Sequence, residues 1–190
     1  SKPVELGAPV NTDKNEFYPS FTKDGSIYFC AAYEDSKGGE DLYYCEFKNG
    51  KYLPPKNLGD SINSEKGEYN SFISPDGAFI MYNTHGQGKG FGSGDIYISF
   101  QKKNNTWTTP VNMGESINSP YFEYCPALSQ DGKYLFFTSQ KISPELDNTP
   151  LQYDTMHNYQ TKPQNGKGDI YWVDAEKTIE KLKNKAFPKN

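Results

Sequence analysis

Short stretches in which apolar and polar residues alternate run through most of the chain, and tight Asp-Gly turns separate them. Alternation with a period of two over four to eight residues is typical of strands with one buried face. Apolar runs rich in aromatic residues follow the turns, at Ile27-Tyr28-Phe29, Ile80-Met81-Tyr82 and Leu135-Phe136-Phe137. Helical periodicity is absent before residue 174. The pattern therefore predicts an all-β fold with helix only at the C-terminal end.

The same polar motif occurs three times in register. Glu follows Asn by five residues and Asp-Gly begins eight residues later, in copies that start at Asn11, Asn63 and Asn118, 52 and then 55 residues apart. The repeated glutamates are Glu16, Glu68 and Glu123, and the repeated turn aspartates are Asp24, Asp76 and Asp131. A fixed period of this length indicates structural units that stack on one another.

One unit is predicted to contain four short antiparallel strands. In the first unit, the first strand runs from Glu16 to about Thr22, the second is the aromatic run, and the third begins at Asp41. The fourth is expected to carry Tyr52 before Pro55, and in the second unit Trp107 before Pro110. Proline suits an outer edge because it cannot donate to a ladder. Four-stranded antiparallel units repeated at about this period build the blades of β-propellers.

A turn motif and the strands after it carry a family resemblance. Ser74-Pro75-Asp76-Gly77 leads into an aromatic strand and then Asp95-Ile96-Tyr97, and the other two copies contain variants of both. This repeat resembles the WD-repeat-like β-propeller repeat of TolB-like exported bacterial proteins, from Pro3 to about Val173. The resemblance implies a propeller fold in an exported, periplasmic or cell-envelope protein. It leaves the function open, because such repeats build a scaffold.

The organisation expected is one partial propeller domain over residues 1–190, with blades at about 11–59, 63–114 and 118–173 and a helix at 174–186. Asp174 suits a helix N-cap, and an apolar stripe follows it. Three blades cannot close a ring, since known propellers have at least four. Either the chain is the C-terminal half of a six-bladed propeller, or Ser1–Gly7 supplies the missing fourth strand of the third blade, in a homodimer or in a distorted four-unit ring. In both cases exposed blade faces are expected to find a partner.

Composition narrows the classes of partner. The formal net charge is -4, and all 20 basic residues are lysines. The acidic balance argues against nucleic acid, and the absence of arginine argues against sites built on a bidentate guanidinium. No apolar run approaches the ~20 residues of a membrane-spanning helix. Cys30 and Cys45 could pair on neighbouring strands, but free buried thiols are favoured.

Two groups of residues are candidates for ligand binding. Glu16, Glu68 and Glu123 are expected at the start of the innermost strands, near the channel mouth, where they would bind a cationic group or instead join successive blades. The second group lies in the longest loop, since 31 residues separate Phe137 from Asp169, against 11 and 12 at the equivalent places. Its aromatic residues favour an ordered loop that faces a ligand. We single out Tyr153, His157 and Tyr159.

Motifs for catalysis, metals and cofactors are lacking in the sequence. His85 and His157 have no metal-ligand spacing, and no Gly-x-Ser-x-Gly motif is present. The glycine-rich segments at Gly38-Gly39 and Gly86–Gly94 precede strands rather than helices, so flexible hairpin loops are expected instead of phosphate sites. We therefore expect no cofactor and no metal.

The function that the sequence favours is a non-catalytic binding or scaffolding module for a protein or glycan ligand. The alternative is part of a propeller enzyme that acts on polysaccharide, or the propeller that accompanies a peptidase domain. Propeller enzymes collect catalytic residues from several blades, so three blades alone leave this alternative open.

Overall fold

Three antiparallel sheets follow one another along the chain, as the repeat predicts. The computed structural model describes residues 1–85, 90–147 and 152–188. Blade 1 contains β1 (Glu16–Phe21), β2 (Ile27–Ala31) and β3 (Asp41–Cys45), then a small separate hairpin of β4 (Phe47–Lys48) and β5 (Lys51–Tyr52), and finally β6 (Lys56–Asn57) as its fourth strand. Blade 2 contains β7 (Glu68–Ile73), β8 (Phe79–Thr84), β9 (Asp95–Phe100) and β10 (Val111–Asn112). Blade 3 contains β11 (Glu123–Leu128), β12 (Tyr134–Ser139) and β13 (Asp169–Asp174).

The fold class is confirmed as an all-β partial propeller, and the third sheet has three strands among the described residues. The expected position of the fourth strand is wrong. Tyr52 belongs to the β4–β5 hairpin, and Trp107 makes only an isolated bridge to Gln101. The outer strands begin directly after Pro55 and Pro110 instead. A proline that precedes a strand breaks no ladder hydrogen bond, which is why both prolines are tolerated there.

Each innermost strand contains a bulge two residues after its glutamate. The pairing register of β1 with β2, of β7 with β8 and of β11 with β12 shifts at this point. The bulged residues are Tyr18, Asn70 and Cys125, with φ angles of 52°, 53° and 52°. A bulge adds one residue to a strand and increases its local twist. The twist of the inner strands is therefore built by the same device in all three blades.

The hydrophobic core lies between the blades rather than at one centre. Between blades 1 and 2, Tyr28 and Leu42 pack against Ile80 and Tyr82. Between blades 2 and 3, Met81, Ile96 and Ile98 pack with Leu135 and Phe137. Side chains of a strand alternate between its two faces, so a middle blade contributes to both cores.

Asparagine side chains tie successive blades together. Asn63 accepts from the backbone N–H of Leu42 at 2.9 Å and donates to the carbonyl of the same residue at 3.0 Å. Asn118 makes the equivalent pair of bonds with Ile96, at 2.8 and 2.9 Å. Each amide thus occupies both backbone groups of a third-strand residue in the preceding blade, and both are buried. Buried backbone groups need such partners.

The C-terminal helix is confirmed, as α3 (Ala175–Ala186) after α1 (Pro144–Asp147) and α2 (Tyr153–Gln160). The Asp174 carboxylate caps it by accepting from the N–H of Lys177 at 3.0 Å, and Leu182 is buried in the core between blades 2 and 3. The expectation of no helix before residue 174 is wrong, because α2 lies in the long insertion. Its sequence is polar on most sides and gives no periodic signal. No helix in the described part of the chain is long and apolar enough to span a membrane.

The three cysteines are free thiols, as favoured from the sequence. Cys30 and Cys45 lie in different cores, on opposite faces of blade 1. A bond between them is excluded by this arrangement, because successive strand positions point to opposite sides of a sheet.

Candidate functional site

One end of the blades gathers the residues that the sequence selects. The inner strands begin there with the three glutamates. The connections between second and third strands lie at the same end, as far as they are described, over residues 32–40, 85 and 90–94, and 140–147 and 152–168. We call it the loop end. The Asp-Gly turns lie at the opposite end, which we call the turn end.

The glutamates are engaged in hydrogen bonds within the protein. Glu123 accepts from the backbone N–H of Ser119 at 2.8 Å and from the hydroxyls of Ser119 and Ser139 at 2.5 and 2.6 Å. Glu68 accepts equivalent bonds from Ser64 at 2.9 and 2.6 Å. Both glutamates are completely buried. These contacts give the two carboxylates a structural role at the loop end. Each holds the segment that leads into its blade, at Ser64 or Ser119, against the start of the inner strand.

Glu16 differs from the other two because it stays partly exposed. Its carboxylate accepts from the hydroxyl of Thr12 at 2.6 Å and from the Tyr33 hydroxyl at 2.9 Å. Burial and this carboxylate raise the pKa of Tyr33, so the phenol stays protonated and continues to donate. A ligand could reach Glu16 more easily than its two equivalents.

The long insertion leaves blade 3 at the loop end and is fastened at its base. Ile142 forms a bridge with Asn165, and the N–H of Ser143 donates to the carbonyl of Gln164 at 2.9 Å. The N–H of Gln140 donates to the carbonyl of Phe122 at 3.0 Å, which joins the insertion to the start of β11. An anchored base limits where α2 can lie.

Two of the three predicted loop residues come together on α2. The rings of Tyr153 and His157 are parallel within 8°, with centroids 6.3 Å apart. Tyr153 is 81% exposed, and Met156 beside it is 43% exposed. Tyr159 lies about 200° further round the helix than His157, at 100° per residue, and Lys162 lies over its ring at 5.3 Å. The structure therefore offers a stacked, solvent-facing pair, with Tyr159 on another side of the helix.

A chain of aromatic rings crosses from blade 2 to blade 3 at the loop end, and its residues are not among the predicted site residues. Centroid distances are 5.9 Å from Tyr69 to His85, 5.6 Å from His85 to Phe122, and 5.2 Å from Phe122 to Tyr124. Burial raises the pKa of Tyr69, and the nearby carboxylates of Glu40 and Glu68 raise it further. The sequence contains one signal for these rings, because an aromatic residue follows each repeated glutamate, at Phe17, Tyr69 and Tyr124.

The described glycines at the loop end serve close packing, so flexible hairpin loops are a wrong prediction for them. A Cβ atom on Gly38 would lie 2.4 Å from the backbone N of Gly67. One on Gly92 would lie 2.4 Å from the carbonyl oxygen of Ser119. Only glycine allows the loop of one blade to come this close to the segment that leads into the next blade. The rest of the predicted loop, residues 86–89, lies outside the described residues.

A second concave surface lies at the turn end, between blades 1 and 2. It is a groove of about 490 Å³ whose apolar side includes the stacked rings of Tyr28 and Tyr44, 5.4 Å apart, and Trp107. Burial raises the pKa of Tyr28 to about 12. Asp24 and Asp76 line the other side, and hydroxyl donors, Thr22 and Ser74, hold the pKa of each carboxyl below its usual value. Both aspartates fulfil their predicted turn role by accepting from the N–H two residues on.

Carboxylates elsewhere at the loop end also serve local structure. Asp95 accepts from the N–H groups of Phe91 and Gly92 at 2.7 and 3.1 Å, and from the side-chain amide of Asn112 at 2.6 Å. Within residues 1–85, 90–147 and 152–188, no three His, Cys, Asp or Glu side chains are grouped so that they could hold a metal ion.

Comparisons with known proteins give a likeness of fold. No protein-family model matches the chain, and no curated protein matches its sequence. The chain is similar to the crystal structure of TolB from Acinetobacter baumannii, with 16% identity and a TM-score of 0.49 over 84% of this chain and 30% of TolB.

Two further solved structures show a comparable likeness. For hydrazine synthase of Kuenenia stuttgartiensis the identity is 13% and the TM-score 0.47, over 87% of this chain and 41% of that one. For the tricorn protease the values are 16% and 0.43, over 84% and 14%. The chain spans less than half the length of each of these three structures.

Proposed function

We propose that this chain is a non-catalytic β-propeller module of an exported bacterial protein and that it binds a protein or glycan partner at its loop end. The observation that carries the proposal is the stacked, exposed pair of Tyr153 and His157 on α2. Covering flat, water-exposed rings with an apolar surface or the face of a sugar lowers the free energy and so favours binding. A pair that is already stacked loses little side-chain entropy on binding.

The surroundings of the pair support a binding surface at this end. The base of the insertion is bonded to the Phe122 backbone, and Phe122 belongs to the ring chain that continues through His85 to Tyr69. An ideal Cβ on Gly168, at the end of the insertion, would lie 2.6 Å from the Tyr124 hydroxyl, so this segment also borders the ring chain. Aromatic residues on rigid strands together with aromatic residues on a loop are typical of binding surfaces.

The glutamates divide into two roles in this proposal. Glu16 contributes an accessible carboxylate to the partner, while buried Glu68 and Glu123 keep the loop end in shape. The exported location rests on the resemblance of the repeat to TolB-like proteins. The scaffolding role rests on the buried asparagines, which hydrogen-bond each blade to the preceding one.

The test is a triple variant, Tyr153→Ala, His157→Ala and Tyr159→Ala, and a control on the same helix, Asn158→Ala with Gln160→Ala. The probes are a panel of soluble bacterial polysaccharides and peptidoglycan fragments in titration calorimetry, and a periplasmic protein extract in chemical cross-linking. We expect the wild type and the control to bind the same probe and the triple variant to lose at least about tenfold in affinity, because stacked rings dominate such interfaces. The melting temperature should hardly change.

Equal binding by all three proteins would overturn the proposal. Turnover of any polysaccharide or peptide by the wild type would do the same, because it would place the protein among the propeller enzymes.

A further inference from the structure

Blade 3 exposes a face and an edge whose equivalents in the other blades are covered. Ile170 is 77% exposed, while Leu42 and Ile96, at the same position of the repeat, are completely buried. Trp172 is 61% exposed on the same face, next to Tyr134 and Phe136. Among the described residues β13 pairs only with β12, whereas β3 pairs with β6 and β9 pairs with β10. We call this surface the open face.

The N-terminal segment contains residues equivalent to those that cover the other blades. By the spacing of the repeat, Val4 and Glu5 correspond to the two residues of β6 and to the two residues of β10. Leu6 corresponds to Leu58 and Met113, which pack onto the cores between blades. In this chain Val4 is 88% exposed and Leu6 is 51% exposed. The segment thus matches the fourth strands of the other blades residue by residue, but its apolar side chains are exposed to solvent.

Asn11 is the equivalent, in the N-terminal segment, of the two asparagines that join successive blades. Its equivalents, Asn63 and Asn118, each bind the backbone of a third-strand residue in the preceding blade. They also donate to the side-chain oxygen of Asn57 or Asn112, at 2.7 and 2.9 Å. Asn11 makes the second of these contacts, since its amide reaches Glu5 Oε1 at 3.5 Å. In the described structure no third strand precedes it to accept the first.

We propose that residues 4–11 of one copy complete blade 3 of a second copy. Blade 1 pairs Lys56 with Tyr44 and Asn57 with Tyr43, so Val4 and Glu5 would pair with Trp172 and Tyr171 of the other copy. The Asn11 amide would then bind the N–H and carbonyl of Ile170, as Asn118 binds Ile96. Blade 1 of one copy covers the open face of the other, and Leu6 lies opposite Ile170, as Leu58 lies opposite Leu42.

The segment does not reach the open face of its own chain, so the proposal takes a second copy as the partner. Val10 is buried in the core of blade 1, which holds the N-terminal segment on the opposite side of the molecule from the open face. Both complementary surfaces are present on each chain, so two copies can join at two equivalent interfaces. Two sets of three blades make six, which lies within the range of closed propellers.

One residue departs from the pattern and makes the register testable. The amide of Asn57 donates to Asp41 at 2.9 Å, and that of Asn112 donates to Asp95 at 2.6 Å. Glu5 has no such donor, and in the proposed register its carboxylate would approach Asp169. Like charges in contact oppose association. Replacing Glu5 with Asn should therefore strengthen the dimer.

Sedimentation velocity of the full chain tests the association. We expect a species of twice the chain mass of 21.5 kDa that dissociates on dilution. Trp172→Asp should raise the dissociation constant at least about tenfold, because it places a charge on the covered face. Glu5→Asn should lower it about tenfold. The control Tyr153→Asp, on the even more exposed ring of α2, should leave the dissociation constant unchanged.

A monomer at all concentrations up to about 100 µM would overturn the proposal. This is also the result expected if a further blade, rather than a second copy, covers the open face. Weaker association of Glu5→Asn than of the wild type would contradict the register.

Disulfide trapping gives an independent readout of the pairing. Val4→Cys with Trp172→Cys, in a Cys125→Ser background, should give a covalent dimer on mild oxidation, because paired strand positions lie within disulfide range. Cys30 and Cys45 are buried and should not interfere. The control pair Val4→Cys and Tyr153→Cys should stay uncross-linked. A bond formed within one chain, or equal cross-linking of both pairs, would contradict the arrangement.

Discussion

Strands β9 and β13 occupy the same position in successive blades and share the sequence Asp-Ile-Tyr, yet they differ completely in burial. All six residues of β9 are buried, while Ile170 and Trp172 of β13 are 77% and 61% exposed. Within the part of the chain that the structure describes, blade 2 has a neighbour on each face and blade 3 has a neighbour on one face. The same motif therefore contributes to the stability of the monomer only where an adjacent blade covers it.

The largest expected effect comes from truncating the same residue type on the two strands. Ile96→Ala should lower the free energy of unfolding by about 2–5 kcal/mol, because it opens a cavity between blades 2 and 3. Ile170→Ala should cost less than about 0.5 kcal/mol in dilute solution, where the open face is in water. Urea denaturation followed by tryptophan fluorescence measures both. Equal losses would show that β13 is covered in the monomer.

The asparagine ties offer the next comparison. Asn118→Ala leaves the buried N–H and carbonyl of Ile96 without their side-chain partner and should cost about 1–3 kcal/mol. Asn11→Ala removes one long bond at the surface and should cost less than about 0.5 kcal/mol in dilute solution. The same denaturation experiment measures the difference. A loss for Asn11→Ala as large as for Asn118→Ala would mean that Asn11 already has a buried partner.

A smaller effect is expected at the Asp-Gly turns. The Ser74 hydroxyl holds the pKa of Asp76 below its usual value of 3.8. The ionised carboxylate therefore stabilises the fold above that pH, and this contribution is lost as the pH falls through the lower, folded-state pKa. The free energy of unfolding of Asp76→Asn should fall less steeply than that of the wild type as the pH falls from about 5 to about 2.

Asp131→Asn is the matched variant for this pH experiment. The Ser129 hydroxyl lowers the pKa of Asp131 in the same way, but this turn is more exposed, since Ser129 is only partly buried while Ser74 is buried. Solvent screens its interactions, so the change in pH dependence should be smaller than for Asp76→Asn. A larger change would contradict the difference in burial between the two turns.

The smallest effect concerns reactivity rather than stability. Burial raises the pKa of all three thiols, to about 11 for Cys30 and Cys45, but Cys125 in blade 3 is only half-buried and can be reached by a reagent. The thiolate is the reactive form, so Ellman's reagent at pH 8 should modify Cys125 at least about tenfold faster than the other two. Mass spectrometry of the labelled protein identifies the site. Labelling of Cys30 at the same rate would indicate that blade 1 opens in solution.

The sequence predicts those parts of the fold that depend on local spacing. The register of Asn, Glu and Asp-Gly locates the inner strands and their turns, because each motif residue bonds to groups within a few residues or within the adjacent blade. The fourth strands were misplaced because Tyr52 and Trp107 look like strand residues, although their rings serve a hairpin and an interblade core.

The candidate site was harder to predict than the fold. Tyr153 and His157 were found because they interrupt a repeat, but their stacking depends on a helix with no periodic signal. The ring chain brings together Tyr69, His85 and Phe122, which are distant in sequence. The repeat marks Tyr69 through its place after Glu68, but no local pattern encodes its contacts with the other two rings, because they depend on how two blades pack.

The bulge in each inner strand has a consequence for how the protein would respond to selection. Left-handed backbone is costly for residues other than glycine, by roughly 1–2 kcal/mol, and asparagine tolerates it best among the rest. Asn70 suits its position, whereas Tyr18 and Cys125 hold the same φ against their own preference. In laboratory evolution for heat resistance, asparagine or glycine at these two positions should be among the first changes to become fixed.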